Sequence, residues 1–459
     1  MKQIRLGFLM AMLGLVILLT AGCGKGDDLG FSMDPQELYR LPELPAKYTE
    51  LNSQLMTIQE KGAEYAAPAS GSNIQPVQMR DLDGDGREEA LAFFRNTADE
   101  KPLKIYIYTV QDEAYHQTAL IEGSGTAIHS ISYTDMNGDG RTELAVGWRV
   151  STDLLALSIY DLRPEGPVEL VRTTYVRYKI LNLNDDPNKE LVVLRTNDNG
   201  VGVADYYSWQ EGVLTQKNTA AISMTMAELS QQGRVSGGML RDNVPALYIT
   251  GVEIGAEDTP GVVFDVLTER NGELVNVVLS DVTGVSSEIT QFCSLYPADI
   301  NGNGVTEAPW PMETPADTVP GPGHRFIEWR SYDDRGKADR ELATYHDLED
   351  GWYLQLPKEW KGRISAIRTV QGDEASVTFS IRSKGGREEQ PFLRITAITG
   401  SNRMVQAVRG KRFNLSRQTD TIYVAELLEA NGTWAYGITE DEVRAAFSLI
   451  KPEWSAGDN

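Results

Sequence analysis

An internal repeat constrains the fold of this chain more than any other feature of its sequence. The segment DLDGDGREEALAFF, which begins at Asp81, recurs as DMNGDGRTELAVGW from Asp135 and as NLNDDPNKELVVLR from Asn182. A fourth copy, DINGNGVTEAPW, begins at Asp299, and the first two intervals are 54 and 47 residues. The last interval is about twice as long, so a degenerate copy is expected inside it. The segment MLRDNVPALYITG around Asp242 fits, because its apolar runs remain although the acidic loop is shorter.

Each period also contains four short runs of strand-forming residues. After the first loop these runs are EALAFFR, LKIYIYTV, YHQTALIEG and IHSISYTD, and after the second they are ELAVGWRV, LALSIYDL, VELVRTTYV and YKILNLN. Four runs separated by turn residues are typical of the four-stranded blade of a propeller. A single sheet of this kind cannot bury both faces, whereas stacked sheets can. We therefore predict a mainly β fold in which about five four-stranded repeats in residues 71–345 form a β-propeller-like array, as a closed ring or an open array.

The acidic loop offers side-chain oxygens at positions 1, 3, 5 and 9 and a backbone carbonyl at position 7. In the first copy these positions hold Asp81, Asp83, Asp85, Glu89 and Arg87. The equivalent residues are Asp135, Asn137, Asp139, Glu143 and Arg141 in the second copy, and Asp299, Asn301, Asn303, Glu307 and Val305 in the fourth. Calcium takes about six to eight oxygen ligands, mostly carboxylates and carbonyls. The pattern predicts calcium in these loops, and the alternative is a solvated acidic turn that binds nothing.

The strand that follows each loop decides between two kinds of calcium loop. An EF-hand needs a bidentate glutamate at position 12, where this chain has Ala92 or Val146 on a predicted strand. A loop of this spacing that runs into a strand instead resembles the calcium loop of FG-GAP and VCBS-type repeats, as in the propellers of integrin α-subunits. The resemblance covers residues 70–310 and implies calcium held between two strands of a blade as a structural staple. The family usually has aspartate at the last ligand position, where this chain has glutamate.

The third copy departs from the pattern. Asn182, Asn184, Asp186 and Glu190 keep the side-chain oxygens, but position 6 holds Pro187 instead of glycine. Proline cannot adopt the positive φ that a sharp turn uses, so we expect this loop to be metal-free or weak. The other loops carry four, three and two carboxylates at the ligand positions in chain order, which predicts the same order of calcium affinity.

The first 22 residues have the pattern of a lipoprotein signal peptide. Lys2 and Arg5 precede the apolar run LGFLMAMLGLVILL, and LLTAGC follows with Cys23 at its end. This resembles the lipobox of bacterial lipoproteins, which implies that Cys23 carries diacylglycerol and anchors the protein to the cell membrane, outside the cytoplasm. Two or more acyl chains are enough for stable anchoring. The alternative is an uncleaved signal anchor with an incidental cysteine.

The remaining chain divides into two further predicted regions. Residues 23–70 are predicted to form a tether and a helical segment with Leu51, Leu55 and Ile58 on one face. The Pro- and Gly-rich stretch 309–323 is predicted as a loop or boundary. Residues 346–459 are predicted to form a C-terminal β-rich α+β domain, closed by a helix in TEDEVRAAFSLIKPEW that starts with a Thr-x-x-Glu capping box.

The net charge and the absence of several catalytic motifs narrow the classes of function expected for this chain. The formal net charge of −23 argues against nucleic acid or anionic lipid head groups as partners and is compatible with divalent cations. No metalloprotease spacing, nucleophile elbow, P-loop or dinucleotide fingerprint occurs. The pair Asp333 and Asp334 suits a glycosidase, although adjacent acids on a turn are more often solvated surface. Cys293 is predicted to be a buried, inert thiol.

Two interpretations of the tryptophans stay open, because tryptophan side chains stack on sugars in binding sites and fill the hydrophobic core elsewhere. A core role is favoured because tryptophan is usually largely buried. The candidates for sugar stacking are Trp148, Trp209, Trp310, Trp329, Trp352 and Trp360. The features together predict a lipid-anchored extracytoplasmic binding or scaffold protein with calcium-stapled loops, whose partner is a surface protein or glycan. The alternative is a cell-surface glycan-active hydrolase or lyase in which calcium is structural.

Overall fold

The computed structural model describes residues 48–112, 114–184, 186–254, 260–280, 282–312, 324–382 and 389–451. Within these ranges the chain is mainly β and forms six antiparallel sheets of four or five strands. The predicted signal peptide, residues 1–22, and the lipidation site Cys23 lie outside the described residues. No helix within the described ranges is long and apolar enough to cross a membrane.

The sheets are numbered here in chain order. Sheet 1 contains Glu64–Tyr65, Val77–Arg80, Glu89–Arg95, Leu103–Gln111 and Ala114–Gly123. Sheet 2 contains Ala127–Thr134, Glu143–Arg149, Leu155–Arg163 and Gly166–Tyr175. Sheet 3 contains Arg177–Leu181, Glu190–Thr196, Gly202–Gln210 and Val213–Ala221.

The second half of the chain contains three further sheets and most of the helices. Sheet 4 contains Arg234–Met239, Pro245–Ile254, Pro260–Arg270, Glu273–Asn276 and Ile289–Gln291. Sheet 5 contains Ala308–Pro311, His324–Tyr332, Ala338–Asp347, Trp352–Leu356 and Phe447–Leu449. Sheet 6 contains Ile364–Gln371, Glu374–Ile381, Gln390–Ile398, Phe413–Arg417 and Ile422–Leu427. The α-helices are Thr49–Glu60, Met226–Gln232, Arg403–Gln406, Glu429–Thr433 and Glu440–Ala446, and short 3-10 turns occur at Arg241–Asn243 and Lys358–Trp360.

In sheets 1, 2 and 3 the acidic loop joins two paired strands, which are the second and third strands of sheet 1 and the first and second strands of sheets 2 and 3. Ala127–Thr134 precedes the second loop and pairs with Glu143–Arg149, the strand that follows it. The run that ends one loop-to-loop period therefore belongs to the next sheet. The strands that follow the first two loops, Glu89–Arg95 and Glu143–Arg149, each begin with a buried glutamate and continue with five buried residues that have no polar side chain. Such continuous apolar runs are expected for strands that are covered on both faces.

Successive sheets stack through shared hydrophobic clusters. Four clusters each contain residues of two consecutive sheets, from sheets 1 and 2 through to sheets 4 and 5. Members from the two sheets are Phe93 and Trp148, Ile159 and Val193, Leu194 and Leu247, and Tyr248 and Tyr332. Each sheet thus buries its apolar faces against its neighbours in the chain, as expected for repeats that cannot bury both faces alone.

The two ends of this stack have different covers. Helix Thr49–Glu60 places Leu55 in a cluster with Phe94, against sheet 1. Sheet 5 packs on sheet 6, where the ring centroids of Tyr345 and Phe379 lie 5.1 Å apart. No hydrophobic cluster of the described residues joins sheet 1 to sheet 5, and no closed propeller ring is found among them.

The helix is expected to stabilise sheet 1 through a few apolar contacts. Leu55 is 5% exposed, whereas the adjacent Met56 is 51% exposed. Leu55→Ala is expected to lower the free energy of unfolding by about 2–4 kcal/mol, because it leaves a cavity against sheet 1. Met56→Ala is the matched control and should change it by less than about 0.5 kcal/mol. Urea unfolding of the two variants measures both values, and equal effects would contradict this packing.

Sheet 5 contains residues from both sides of the predicted boundary at 345/346. Its strand Ala338–Asp347 crosses that position and pairs with Trp352–Leu356. The strand Ala308–Pro311, which includes the first three residues of the predicted loop 309–323, pairs with residues 327–330 of sheet 5. Residues 313–323 lie outside the described part of the chain.

The closing helix is shorter than predicted. The capping box is present, because the Thr439 hydroxyl accepts a hydrogen bond from Glu442 N at 3.3 Å and Thr439 N donates to the Glu442 carboxylate at 2.8 Å. The helix ends at Ala446, and Phe447–Leu449 forms a strand that pairs with Trp352–Leu356. The prediction that the helix continues through these residues was wrong, since pairing with a distant strand overrides the local helical pattern.

Candidate metal loops

The acidic loops lie in a row, and backbone hydrogen bonds link them. Thr142 N in the second loop donates to Leu82 O in the first at 2.8 Å, and Lys189 N in the third donates to Met136 O in the second at 2.7 Å. The loop from Asp299 continues the pattern, since Thr306 N donates to the carbonyl oxygen of Met239 at 2.8 Å. The degenerate segment MLRDNVPALYITG, which begins at Met239, therefore lies beside the loop from Asp299, as the preceding copy does in the other two pairs. In the first two pairs the bond runs from position 8 of one loop to position 2 of the preceding loop.

Close contact between loops explains one of the glycines that recur in the repeat. Gly84 has a φ of +77°, and a Cβ placed there would lie 2.5 Å from Gly140 O in the second loop. Any side chain would both strain the backbone and collide with a carbonyl group. Glycine at position 4 of the first loop is therefore required by the neighbouring repeat as well as by the turn.

The aspartate at position 1 holds the turn together. Asp81 accepts hydrogen bonds from Gly84 N at 2.8 Å and from Gly86 N at 3.0 Å, one on each carboxylate oxygen. Asp135 and Asp299 make the same pair of bonds in their own loops. Both lone backbone donors of the tight turn are thereby satisfied, so each of these loops is ordered by its own residues.

The buried glutamate at position 9 accepts a hydrogen bond from the backbone of its own loop. Oε2 of Glu89 accepts a hydrogen bond from Leu82 N at 2.7 Å, and Glu143, Glu190 and Glu307 accept the equivalent bond in their loops at 2.7–3.1 Å. All four are buried. Burial raises the pKa of Glu143, Glu190 and Glu307 to about 7 and also raises the pKa of Glu89, where the nearby aspartates add to the effect. A buried carboxylate that is hard to ionise favours a cation or a hydrogen-bond donor beside it.

Position 3 decides which of these partners the glutamate has. In the second loop Asn137 Nδ2 donates to Glu143 Oε1 at 3.3 Å, and in the loop from Asp299 the Asn301 amide donates to Glu307 at 3.1 Å. The first loop has Asp83 at this position, and a carboxylate has no hydrogen to donate at neutral pH. The third loop has the same bond between its asparagine and its glutamate, so an asparagine amide donates to the glutamate in three loops and in the first loop no such donor is present.

The first loop instead brings three carboxylates together. One oxygen each from Asp81, Asp83 and Glu89 lie within 4.8 Å of one another. Asp85 is not part of this group, and its Oδ1 accepts a hydrogen bond from Arg87 N at 2.7 Å. The sequence therefore placed four acidic ligands at this loop, and the structure assembles three of them.

The third loop has a hydrogen-bond pattern of its own. Pro187 has no N–H, so an aspartate at position 1 would lose one of the two donors that it has in the other loops. Asn182 stands there instead, and its Nδ2 donates to Asp186 O at 2.7 Å. Asn184 Nδ2 donates to Glu190 Oε1 at 3.1 Å, as in the second loop. The weak metal binding expected for this loop stays a prediction, and its side chains already satisfy one another.

One charged neighbour was missed by the sequence reasoning. Lys189, at position 8 of the third copy, donates from Nζ to Asp135 O of the second loop at 3.0 Å. The ammonium group of Lys189 thus lies beside the second loop, and its positive charge repels a metal cation at that loop. The repeat that contains Lys189 does not indicate this contact by itself, because the contact depends on position 8 of one loop lying against the preceding loop.

The other residues singled out as candidate sites have structural surroundings. Asp333 accepts hydrogen bonds from Arg335 N at 3.0 Å and Lys337 N at 2.8 Å in a turn. Cys293 is buried, as predicted, and burial raises the pKa of its thiol to about 11. Trp148, Trp329, Trp352 and Trp360 are fully buried, which agrees with the core interpretation for these four.

Comparisons with known proteins add little to these observations. No family model matches this sequence, and no curated protein matches it. Among solved structures, the alignment with an α-L-arabinofuranosidase from Podospora anserina, in complex with cellotriose, covers 61% of this chain and 94% of that chain. The sequence identity is 9% and the TM-score is 0.22. A likeness at this level carries no argument about the fold or the activity of this chain.

Proposed function

We propose that this chain is a binding or scaffold protein, anchored through lipid on Cys23 outside the cytoplasm, whose stacked sheets are stapled by calcium at the first acidic loop. In this proposal residues 71–345 form an FG-GAP/VCBS-like, propeller-like array, and residues 346–459 form its C-terminal β-rich domain. The observation that carries the proposal is the approach of three carboxylates, from Asp81, Asp83 and Glu89, to within 4.8 Å.

Electrostatics explains why this arrangement favours a cation. Like charges at this separation repel one another, and the burial of Glu89 reduces the screening of that repulsion by water. A divalent cation turns the repulsion into attraction, and calcium prefers carboxylate oxygens as ligands. The carbonyl oxygen of Arg87 and water would complete the coordination. Because the asparagines at position 3 pair with the glutamates elsewhere, we expect the first loop to bind calcium most tightly, followed by the loops from Asp135 and Asp299.

The staple would act on the array as a whole. Calcium at the first loop would hold together the strands on either side of it, Val77–Arg80 and Glu89–Arg95, and Thr142 N links that loop to the next at 2.8 Å. Stacked repeats expose broad surfaces that suit a protein or glycan partner. A binding role is preferred to the hydrolase alternative because the carboxylate of Asp333, a candidate acid for that chemistry, is used by the hydrogen bonds of its turn.

Calcium titration of the full chain, solubilised in mild detergent, tests the proposal. We expect a binding heat with a Kd in the range of about 10⁻⁴–10⁻³ M, typical of extracellular modules, and a rise in melting temperature at millimolar calcium. Asp83→Asn places in the first loop the residue that the second loop has at this position. It is expected to remove the tightest calcium-binding event and most of the calcium-dependent rise in melting temperature, which leaves only the weaker binding of the other loops.

Two matched variants make the result specific. Asn137→Asp gives the second loop the same three carboxylates as the first and is expected to tighten calcium binding there, although to less than the affinity of the first loop because Lys189 lies nearby. Asp153→Asn removes an exposed acidic group outside the loops and should leave the titration unchanged. A wild-type chain without heat or thermal shift, or an Asp83→Asn variant that binds like the wild type, would contradict the calcium staple.

A further inference from the structure

A cavity of about 820 Å³ lies away from the carboxylate cluster, along the first strands of the middle sheets. Its wall contains residues of Ala127–Thr134 in sheet 2 and of Arg177–Leu181 in sheet 3. Arg234 at the start of sheet 4 and Tyr296 complete one side, and residues 70–72 complete another. The volume falls within the range of about 300–1,000 Å³ that small-molecule sites occupy.

The charge of this cavity is opposite to that of the protein. Three basic side chains, Arg177, Lys179 and Arg234, line it beside His129, and none of the described lining residues is acidic, although the chain has a formal net charge of −23. The pKa of His129 is lowered by burial and then by the positive charges of Arg149 and Arg177, which agrees with a positive potential at this wall. Arg177 is exposed to solvent. A concave surface of one sign concentrates ligands of the other sign.

The uncharged part of the wall is rich in hydroxyl groups. Ser70, Ser72, Ser130, Ser132 and Thr134 all line the cavity. Hydroxyl groups both donate and accept hydrogen bonds, so this lining matches a ligand that has many hydroxyl groups of its own.

Several of the polar side chains in the wall are held in place by one another. Ser132 Oγ lies 3.1 Å from Tyr178 Oη, and Ser70 Oγ lies 3.3 Å from His129 Nε2. On the opposite side the guanidinium of Arg234 lies over the ring of Tyr296, 4.4 Å from its centroid. A guanidinium fixed on an aromatic face keeps its planar donors oriented, and such donors match a carboxylate. The wall is therefore organised before any ligand enters.

We propose that this cavity binds an acidic carbohydrate, with carboxylate groups on the basic side chains and sugar rings and hydroxyls against the tyrosines and serines. The positive lining selects for negative charge, and the hydroxyl and tyrosine lining selects for a saccharide rather than a simple anion. The inference rests on the binding function proposed above, to which it adds a site and a ligand class. It is independent of calcium, because none of the first-loop carboxylates lines the cavity.

Calorimetric titration of the full chain in mild detergent with three probes tests both parts of the inference. Trigalacturonate carries carboxylates on sugar rings, maltotriose is a neutral trisaccharide, and propane-1,2,3-tricarboxylate is a small anion without sugar. We expect binding of trigalacturonate that weakens as salt is raised, and no comparable binding of the other two. Equal affinity for maltotriose would overturn the charge part, and equal affinity for the tricarboxylate would overturn the carbohydrate part.

Substitutions in the cavity wall test where the saccharide binds. Arg177→Gln and Lys179→Gln are each expected to raise the Kd for trigalacturonate by about tenfold, as expected for loss of a charge-assisted hydrogen bond. Arg172→Gln, an exposed arginine on the last strand of sheet 2, is the control and should bind like the wild type. Arg234→Lys keeps the charge but loses the planar donors, so an intermediate rise in the Kd for trigalacturonate is expected. This conservative variant tests Arg234 even if removal of its charge prevents folding. Unchanged binding in Arg177→Gln and Lys179→Gln would overturn the proposal.

The same titration separates this inference from the calcium staple. Asp83→Asn should still bind trigalacturonate, with or without calcium, since the variant removes only a first-loop carboxylate. A wild-type chain that binds trigalacturonate but shows neither a calcium-binding heat nor a calcium-dependent thermal shift would contradict the staple alone. Absence of trigalacturonate binding in a wild-type chain that responds to calcium would overturn the cavity proposal alone.

Discussion

Trp148→Ala is expected to lower the free energy of unfolding by about 3–5 kcal/mol, among the largest effects of any single substitution in this chain. The Trp148 side chain is 0% exposed and belongs to the cluster between sheets 1 and 2. Its Nε1 donates to Ser158 Oγ at 3.2 Å, so the variant also leaves a buried hydroxyl without that partner. Urea unfolding measures the loss, and Leu154→Ala, at a site 42% exposed, should stay within about 0.5 kcal/mol of the wild type.

A second substitution tests the cause of that loss. A Cβ on Gly123 of sheet 1 would lie 2.3 Å from the indole ring of Trp148. Gly123→Ala is therefore expected to destabilise the wild-type chain and to cost much less in the Trp148→Ala background, where the cavity accepts the methyl group. A double-mutant cycle gives this coupling directly. Additive effects of the two substitutions would contradict the proposed contact between the sheets.

His346→Phe is expected to remove part of the acid sensitivity of the fold. The His346 side chain is 1% exposed, and neither ring nitrogen has a hydrogen-bond partner within the described part of the chain. Its ring stacks on Tyr353 at 5.1 Å between centroids and lies 5.7 Å from Trp329. Burial in these surroundings lowers the pKa of His346 from 6.5 to about 3.

The direction of the effect follows from proton linkage. Between about pH 6.5 and pH 3 the unfolded chain binds a proton at His346 that the folded chain does not, so stability falls as pH is lowered through this window. One such proton corresponds to about 1.4 kcal/mol per pH unit, or about 2 kcal/mol at pH 5. Unfolding free energies at pH 7, 6, 5 and 4 should show a shallower slope for His346→Phe. His116→Phe, at an exposed position, should keep the slope of the wild type, and a common slope for all three proteins would contradict the prediction.

Interactions between residues close in sequence were the ones that sequence reasoning could predict. The bonds from Asp81 to the backbone of Gly84 and Gly86 span at most five residues, and the repeated spacing of side-chain oxygens indicates such a loop. The capping box of Thr439 and Glu442 spans three residues and is present as predicted. The mainly β character follows in the same way from the strand-forming runs between the loops.

Interactions between distant residues produced the differences. The strand Phe447–Leu449 pairs with residues 352–354, so a segment with a helical pattern is extended there. Lys189 meets the second loop because loops of adjacent sheets touch, which its own repeat does not indicate. Arg177 and Arg234 lie in different repeats, and the basic cavity exists because sheets 3 and 4 are neighbours.

The sequence by itself determined the period of the repeat, the local winding of the acidic loops and the sequence positions of the carboxylates. The tertiary structure decided which of those groups meet a partner. Asp83 and Asn137 occupy the same position of the repeat. The Asn137 amide donates a hydrogen bond to the buried Glu143 carboxylate, whereas Asp83 adds a like charge beside Glu89. The difference arises because the glutamates are buried only when the sheets stack, and burial is a property of the whole array rather than of any loop.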